Sequence, residues 1–200
     1  NITTICATNF NYIESYMKAE ALNMSDEELV KQCINGNQGA QKLLFDKYSS
    51  MMFGVCLRYS SSKADAEDIL QEALVKVFNK LNKYSGLGSF EGWIRRITVN
   101  TALDFIRKNK KRQLNASLEE VGYGIKKEQF VVEELTAKEL MKIIQKIPTG
   151  YRTIFNMYAI EGYSHKEIAQ ELSISESTSK SQLSRARATI KELLIKNKLI

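Results

Sequence analysis

Apolar residues recur along this chain at intervals of three and four, and polar breaks cut the recurrence into segments of helical length. No stretch alternates for long enough to read as a strand, so the pattern predicts an all-α protein. The pattern starts at Met24, where Ser25 and Glu28 form a capping box ahead of a helix from Asp26 to about Asn35. Gly36 supplies its left-handed end. A longer helix, about Gln38 to Tyr59, places Leu44, Tyr48, Met51, Met52, Val55 and Tyr59 on its buried side. After Ser60, Ser61 and Ser62, a third helix from about Ala64 to Leu81 buries Ile69, Leu70, Ala73, Leu74, Val77 and Phe78. Its outer side carries Asp68, Gln71 and Glu72.

Gly86 and Gly88 break the next stretch, and Ser89 is placed to cap a helix from Phe90 to about Asn109. Phe90, Trp93, Ile94, Ile97 and Leu103 read as inward, and Arg95, Arg96, Asn100, Asp104 and Arg107 as outward. Residues 113–132 have weak period and mixed charge and read as a flexible linker. Beyond it, helices from about Glu133 to Lys146 and from about Thr149 to Ala159 flank Pro148.

The last segment is the most specific. Ser164 and Glu167 make a second capping box, Ile168, Ala169 and Leu172 share a face, and Ser173 to Ser175 form a tight turn. On the helix that follows, positions 179, 183, 186, 190 and 194 lie on one side, four of them filled by Leu183, Ala186, Ile190 and Leu194. The other side and its flanks present Ser177, Lys180, Ser181, Ser184, Arg185 and Arg187. Hydroxyls and cations opposite a buried face suit phosphates and base edges, as on the second helix of a helix-turn-helix. Two residues depart from that pattern. Ser173 stands where glycine most easily enters the left-handed region, and Ser179 where a β-branched apolar residue would fill the angle between the helices.

Charge sharpens this picture. The net charge is +6, but residues 25–89 balance at eight basic and eight acidic. Residues 90–112 hold seven Lys or Arg against two acids, and residues 149–200 hold eight against five. Two separate basic places suit two contacts with a polyanion. Three scattered cysteines and one histidine, His165, make no metal set and no redox motif. His165, just after a cap, reads as a surface residue. No catalytic signature, cofactor loop or small-molecule substrate site stands out, so the protein is expected to be no enzyme and to need no cofactor. No apolar run reaches membrane-spanning length, and a cytoplasmic location is expected. Residues 1–23 lack helical period; they are expected to be a poorly ordered extension, with Met24 as a natural start.

The stretches DAEDILQEALVKVF (65–78), FEGWIRRITVNTALDFIRKNKKR (90–112) and IPTGYRTIFNMYAIEGYSHKEIAQELSISESTSKSQLSRAR (147–187), in this order, resemble an extracytoplasmic-function sigma factor of the sigma-70 family. The resemblance implies a region-2-like domain over 24–112, the linker 113–132 and a region-4-like domain over 133–200. It implies that Asp68, Gln71 and Glu72 contact core RNA polymerase. It places Trp93, Arg96, Asn100 and Arg107 at the minus-ten promoter element, although Trp93 also reads as a core residue. Lys180, Ser181, Ser184 and Arg185 then read the minus-thirty-five element, beside Thr178 and Arg187 on phosphates. An anti-sigma protein is implied by the resemblance alone. A stand-alone helix-turn-helix regulator and a helical adaptor are the alternatives.

Overall fold

The computed structural model describes residues 24–116 and 137–197. Among them every regular element is helical. Helix α1 is Asp26–Ile34, α2 Gln38–Tyr59, α3 Lys63–Lys80 and α4 Phe90–Ala116. A turn of 3-10 helix, Leu81–Lys83, extends α3. Then come α5 at Ala137–Lys146, α6 at Thr149–Phe155, α7 at His165–Leu172 and α8 at Glu176–Lys196. Between α6 and α7, Asn156–Ile160 form a π-helical turn.

Serine or asparagine starts α1 to α4, α7 and α8, because an oxygen there satisfies a backbone N–H that the helix leaves open. Ser25 Oγ accepts from the Glu28 N–H, Asn37 Oδ1 from Ala40, Ser62 Oγ from Asp65 and Ser89 Oγ from Gly92. The expected box at Ser25 differs in one respect: the Glu28 carboxylate accepts from the Gln32 amide. Gly36 ends α1 at a φ of 81°, as its position predicts.

Contacts divide the described chain into two units. One holds the residues up to Met52 with Leu70–Thr98; the other holds Phe53–Ile69 and the residues from Val99 onward. Helix α4 continues seven residues past Asn109. Residues 113–116 are thus helix; the remainder of the expected linker and residues 1–23 lie outside the described residues.

The first unit buries Leu29, Val30, Cys33, Leu44, Met52, Ala73, Val77, Phe90 and Ile94 in one core. Tyr48 closes its edge. The phenol donates to Asp26 Oδ1 at 2.5 Å, and the ring meets Phe90 edge-on at 5.4 Å. Burial raises the Asp26 carboxyl, but bonds from Lys47 and Tyr48 outweigh it and the net shift is downward.

The second unit is assembled partly through polar contacts. The last carbonyls of a helix lack internal donors, and side chains from α5, α6 and the π turn supply them to α2. Gln145 Nε2 donates to the Leu57 carbonyl at 3.2 Å and Asn156 Nδ2 to that of Arg58 at 2.8 Å. Buried Arg152 donates to the carbonyls of Tyr59 and Gln145. Arg58 also pairs with Glu161 at 2.7 Å. Burial, with Glu161 nearby, pushes the Tyr59 phenol far up, and burial pushes the Cys56 thiol to about 12. Helix α8 packs on α5, α6 and α7, and Ile143, Ile144, Ile154, Met157, Ile168, Leu183 and Ala186 are buried there.

Candidate nucleic-acid interface

Helices α7 and α8 form the predicted helix-turn-helix. The box at Ser164 is complete: its Oγ accepts from the Glu167 N–H, and the Glu167 carboxylate accepts from the Ser164 N–H at 2.8 Å. At the turn, Ser173 takes φ 53° and ψ 47°, the left-handed conformation its position demands. The Ile174 N–H then reaches back to the Ala169 carbonyl at 3.0 Å, closing the end of α7. A side chain held left-handed costs about 1–2 kcal/mol, and glycine returns about 0.5–1 kcal/mol of that as extra freedom in the unfolded chain. Ser173→Gly should therefore stabilise the unit by about 0.5–1 kcal/mol. Thermal unfolding checks this, and an unchanged or lower midpoint would contradict it.

The faces of α8 separate as expected over its first three turns, whereas Ile190 and Leu194, expected on the buried side, are half-buried. Ser179, Leu183 and Ala186 are buried, whereas Lys180, Ser181, Ser184, Arg185 and Arg187 are exposed. Thr178 is half-buried and its hydroxyl lies 2.8 Å from Ser175 Oγ, within the cap of α8. Ser181 Oγ donates to the Thr178 carbonyl, and Arg185 Nη1 donates to the Tyr151 hydroxyl at 3.4 Å.

Sequence reasoning missed what surrounds Ser179. His165, expected at the surface, is half-buried and sits 2.9 Å through Nδ1 from Ser179 Oγ. Its ring stacks on Tyr158 with centroids 4.6 Å apart, and Arg187 lies over the same Tyr158 ring. A buried hydroxyl needs a partner, so Ser179 itself was the available signal; the partner, fourteen residues away, was not.

On α4, Trp93, Arg96, Asn100 and Arg107 follow helical spacing. Trp93 is half-buried, stacked on Phe90 at 5.6 Å and tilted against Tyr84. Arg96 is exposed. Asn100, expected to project outward, is half-buried, and its Oδ1 lies out of solvent without a hydrogen-bond partner. Arg107 is exposed but engaged, by Asp104 at 2.8 Å and the Glu171 carbonyl. On α3, Asp68 and Gln71 are exposed, while Glu72 pairs with Lys76 at 2.9 Å. Among the described residues no group of three His, Cys, Asp or Glu side chains is placed to hold a metal ion, and no helix is long and apolar enough to cross a membrane.

The sigma-70 region 2 family matches residues 44–112, and the sigma-70 region 4 family matches residues 137–190. The chain is 27% identical to the ECF RNA polymerase sigma-E factor of Haemophilus influenzae, covering 85% of this chain and 95% of that one. It is 27% identical to the ECF RNA polymerase sigma factor SigW of Bacillus subtilis, over 86% and 98%. Its fold is similar to that of the sigma factor RpoE of Bartonella quintana, solved with the anti-sigma factor NepR. There the TM-score is 0.52 at 22% identity, over 76% of this chain and 95% of that one.

Proposed function

Since the chain belongs to the extracytoplasmic-function branch of the sigma-70 family and directs core RNA polymerase to promoters, we propose which of its surfaces do so. Helix α8 reads the minus-thirty-five element with Lys180, Ser181, Ser184 and Arg185, beside phosphate contacts from Thr178 and Arg187. Helix α4 serves the minus-ten element. Arg96 and Arg107 hold the backbone there, and Asn100 offers an amide to an unstacked base. Trp93 anchors that surface through its ring stack. Asp68, Gln71 and Glu72 face the polymerase.

The observation that carries this reading is α8 itself. Its inner side buries Ser179, Leu183 and Ala186, and Lys180, Ser181, Ser184, Arg185 and Arg187 stand exposed on the remainder. The chain contributes recognition and strand opening, with no chemistry of its own, and works in the cytoplasm. An anti-sigma protein holds it when it is idle; the sigma factor RpoE of Bartonella quintana is solved in complex with one. Reconstitution tests the whole: core polymerase with this chain should transcribe from a dedicated promoter and core alone should not. Tight, sequence-specific binding of duplex DNA by the free chain would instead favour a stand-alone regulator.

The polymerase face has its own test. Gln71→Ala combined with Glu72→Ala should weaken core binding in a pull-down titration. Stability should change by within about 0.5 kcal/mol beyond the loss of the half-buried Lys76 pair, an i,i+4 pair itself worth about 0.5 kcal/mol. Unchanged affinity for core would remove both residues from the interface.

A further inference from the structure

The single histidine joins three parts of the DNA-reading unit. It is the first residue of α7. Its Nδ1 lies 2.9 Å from Ser179 on α8, and its ring stacks on Tyr158 of the π turn at an interplanar angle of 23°. The Arg187 guanidinium, two turns beyond Ser179 on α8, lies 6.0 Å from the centre of that same tyrosine ring. Ser179 is fully buried where the two helices meet. An apolar contact there would tolerate sliding, because dispersion is weakly directional. A hydrogen bond is directional and fixes both distance and angle. It also survives either imidazole tautomer, since the serine hydroxyl rotates to donate or accept. The ring does the second task. Stacked on His165, Tyr158 keeps one face for a cation, and a cation over an aromatic ring is held by the ring's quadrupole.

We propose that His165 is a positioning residue for promoter reading: through Ser179 it sets the angle of α8 against α7, and through Tyr158 it places Arg187. The ligand is duplex DNA, and the proposal rests on the reading of α8 as the minus-thirty-five helix. The two tasks separate by mutation. His165→Phe keeps a ring on Tyr158 and loses the bond to Ser179. His165→Asn keeps a polar atom near Nδ1 and loses the ring. His165→Phe with Ser179→Ala loses the bond without stranding a buried hydroxyl, so it folds even if the single variant is impaired.

Holoenzyme reconstituted with each full-length variant is bound to a pool of promoter duplexes randomised across the upstream element. The enrichment of the parent's preferred sequence is read together with the salt dependence of binding and the melting temperature. His165→Phe, alone and with Ser179→Ala, should lower that enrichment by about fivefold, the lower end of what one base contact supplies. His165→Asn should retain the preference, weaken binding alike on all sequences, and reduce the salt slope by about one unit. If the variants melt earlier yet match the parent in enrichment and salt slope, His165 is only structural and the proposal is overturned. If the parent itself enriches no upstream sequence, the reading of α8 falls first, and this proposal with it.

Discussion

Ile168→Ala is expected to remove upstream promoter recognition from this chain while leaving the first unit folded. Ile168 is fully buried on α7, the helix on which α8 rests. Truncating a buried isoleucine to alanine costs about 2–5 kcal/mol, through lost transfer energy and the cavity left behind. Whole domains are stable by only about 5–15 kcal/mol, and small ones lie at the low end. The substitution therefore takes a large share of the margin of the helix-turn-helix. Segment-resolved hydrogen exchange separates the outcomes. Amides of α7 and α8 should lose protection by about one and a half to three and a half orders of magnitude, following the same free-energy loss, while those of α1 and the first half of α2 stay protected. Parent-like protection across α7 would show that the helix is held by contacts other than this side chain.

The second large effect separates the two DNA-reading helices. Arg185→Ala should weaken promoter capture by about 1–3 kcal/mol if the guanidinium reads a base through two hydrogen bonds. If it touches phosphate alone, the loss should be uniform across sequences and the salt slope shallower. Breaking the long 3.4 Å contact to Tyr151 adds little to either result. Asn100→Ala should leave capture intact and impair strand opening, because an amide that holds an unstacked base acts only once the base has left the duplex. The protein itself should tolerate this change. Asn100 Oδ1 is buried without a partner, so its removal strands no other group. Permanganate reactivity of unpaired thymines, beside a gel shift of the closed complex, measures the two steps. Parent-like opening by Asn100→Ala would withdraw the role given to α4.

Much of the architecture is legible in the pattern of apolar positions, and the exceptions have physical reasons. Helix α2 begins and ends where its stripe and flanking polar residues predict, at Gln38 and Tyr59. The end of α4 was not legible. A charged, amide-rich stretch such as Lys108 to Gln113 carries no stripe, and a solvated helix leaves no periodic trace. The π turn has no signature in its residue types, so Asn156–Ile160 read as plain α-helix. Arg152 read as nothing in particular, because a lone arginine on a short helix belongs at the surface by default; the acceptors that bury it are distant in sequence. In the candidate interface, α8 was legible face by face. The His165 bond to Ser179 and the inward lean of Asn100 were not, since both depend on how neighbouring elements pack.

The π turn between α6 and α7 has a consequence for how this chain can change length. Its Glu161 N–H reaches the Asn156 carbonyl five residues back, and the Tyr163 N–H reaches Met157 six back. Such a turn is an α-helix carrying one surplus residue. A single-residue deletion within Asn156–Ile160 would repair the regular hydrogen bonding, and locally nothing would be lost. Every later side chain would turn by about 100° about the helix axis and move about 1.5 Å along it. Tyr158 would leave His165, and Glu161 would leave Arg58. Exposed Tyr158, Ala159 and Ile160 make this stretch resemble a surface site where insertions and deletions accumulate. Its length is instead set by phase: the surplus residue keeps the two helical stretches in rotational step, so this turn can vary in sequence far more freely than in number.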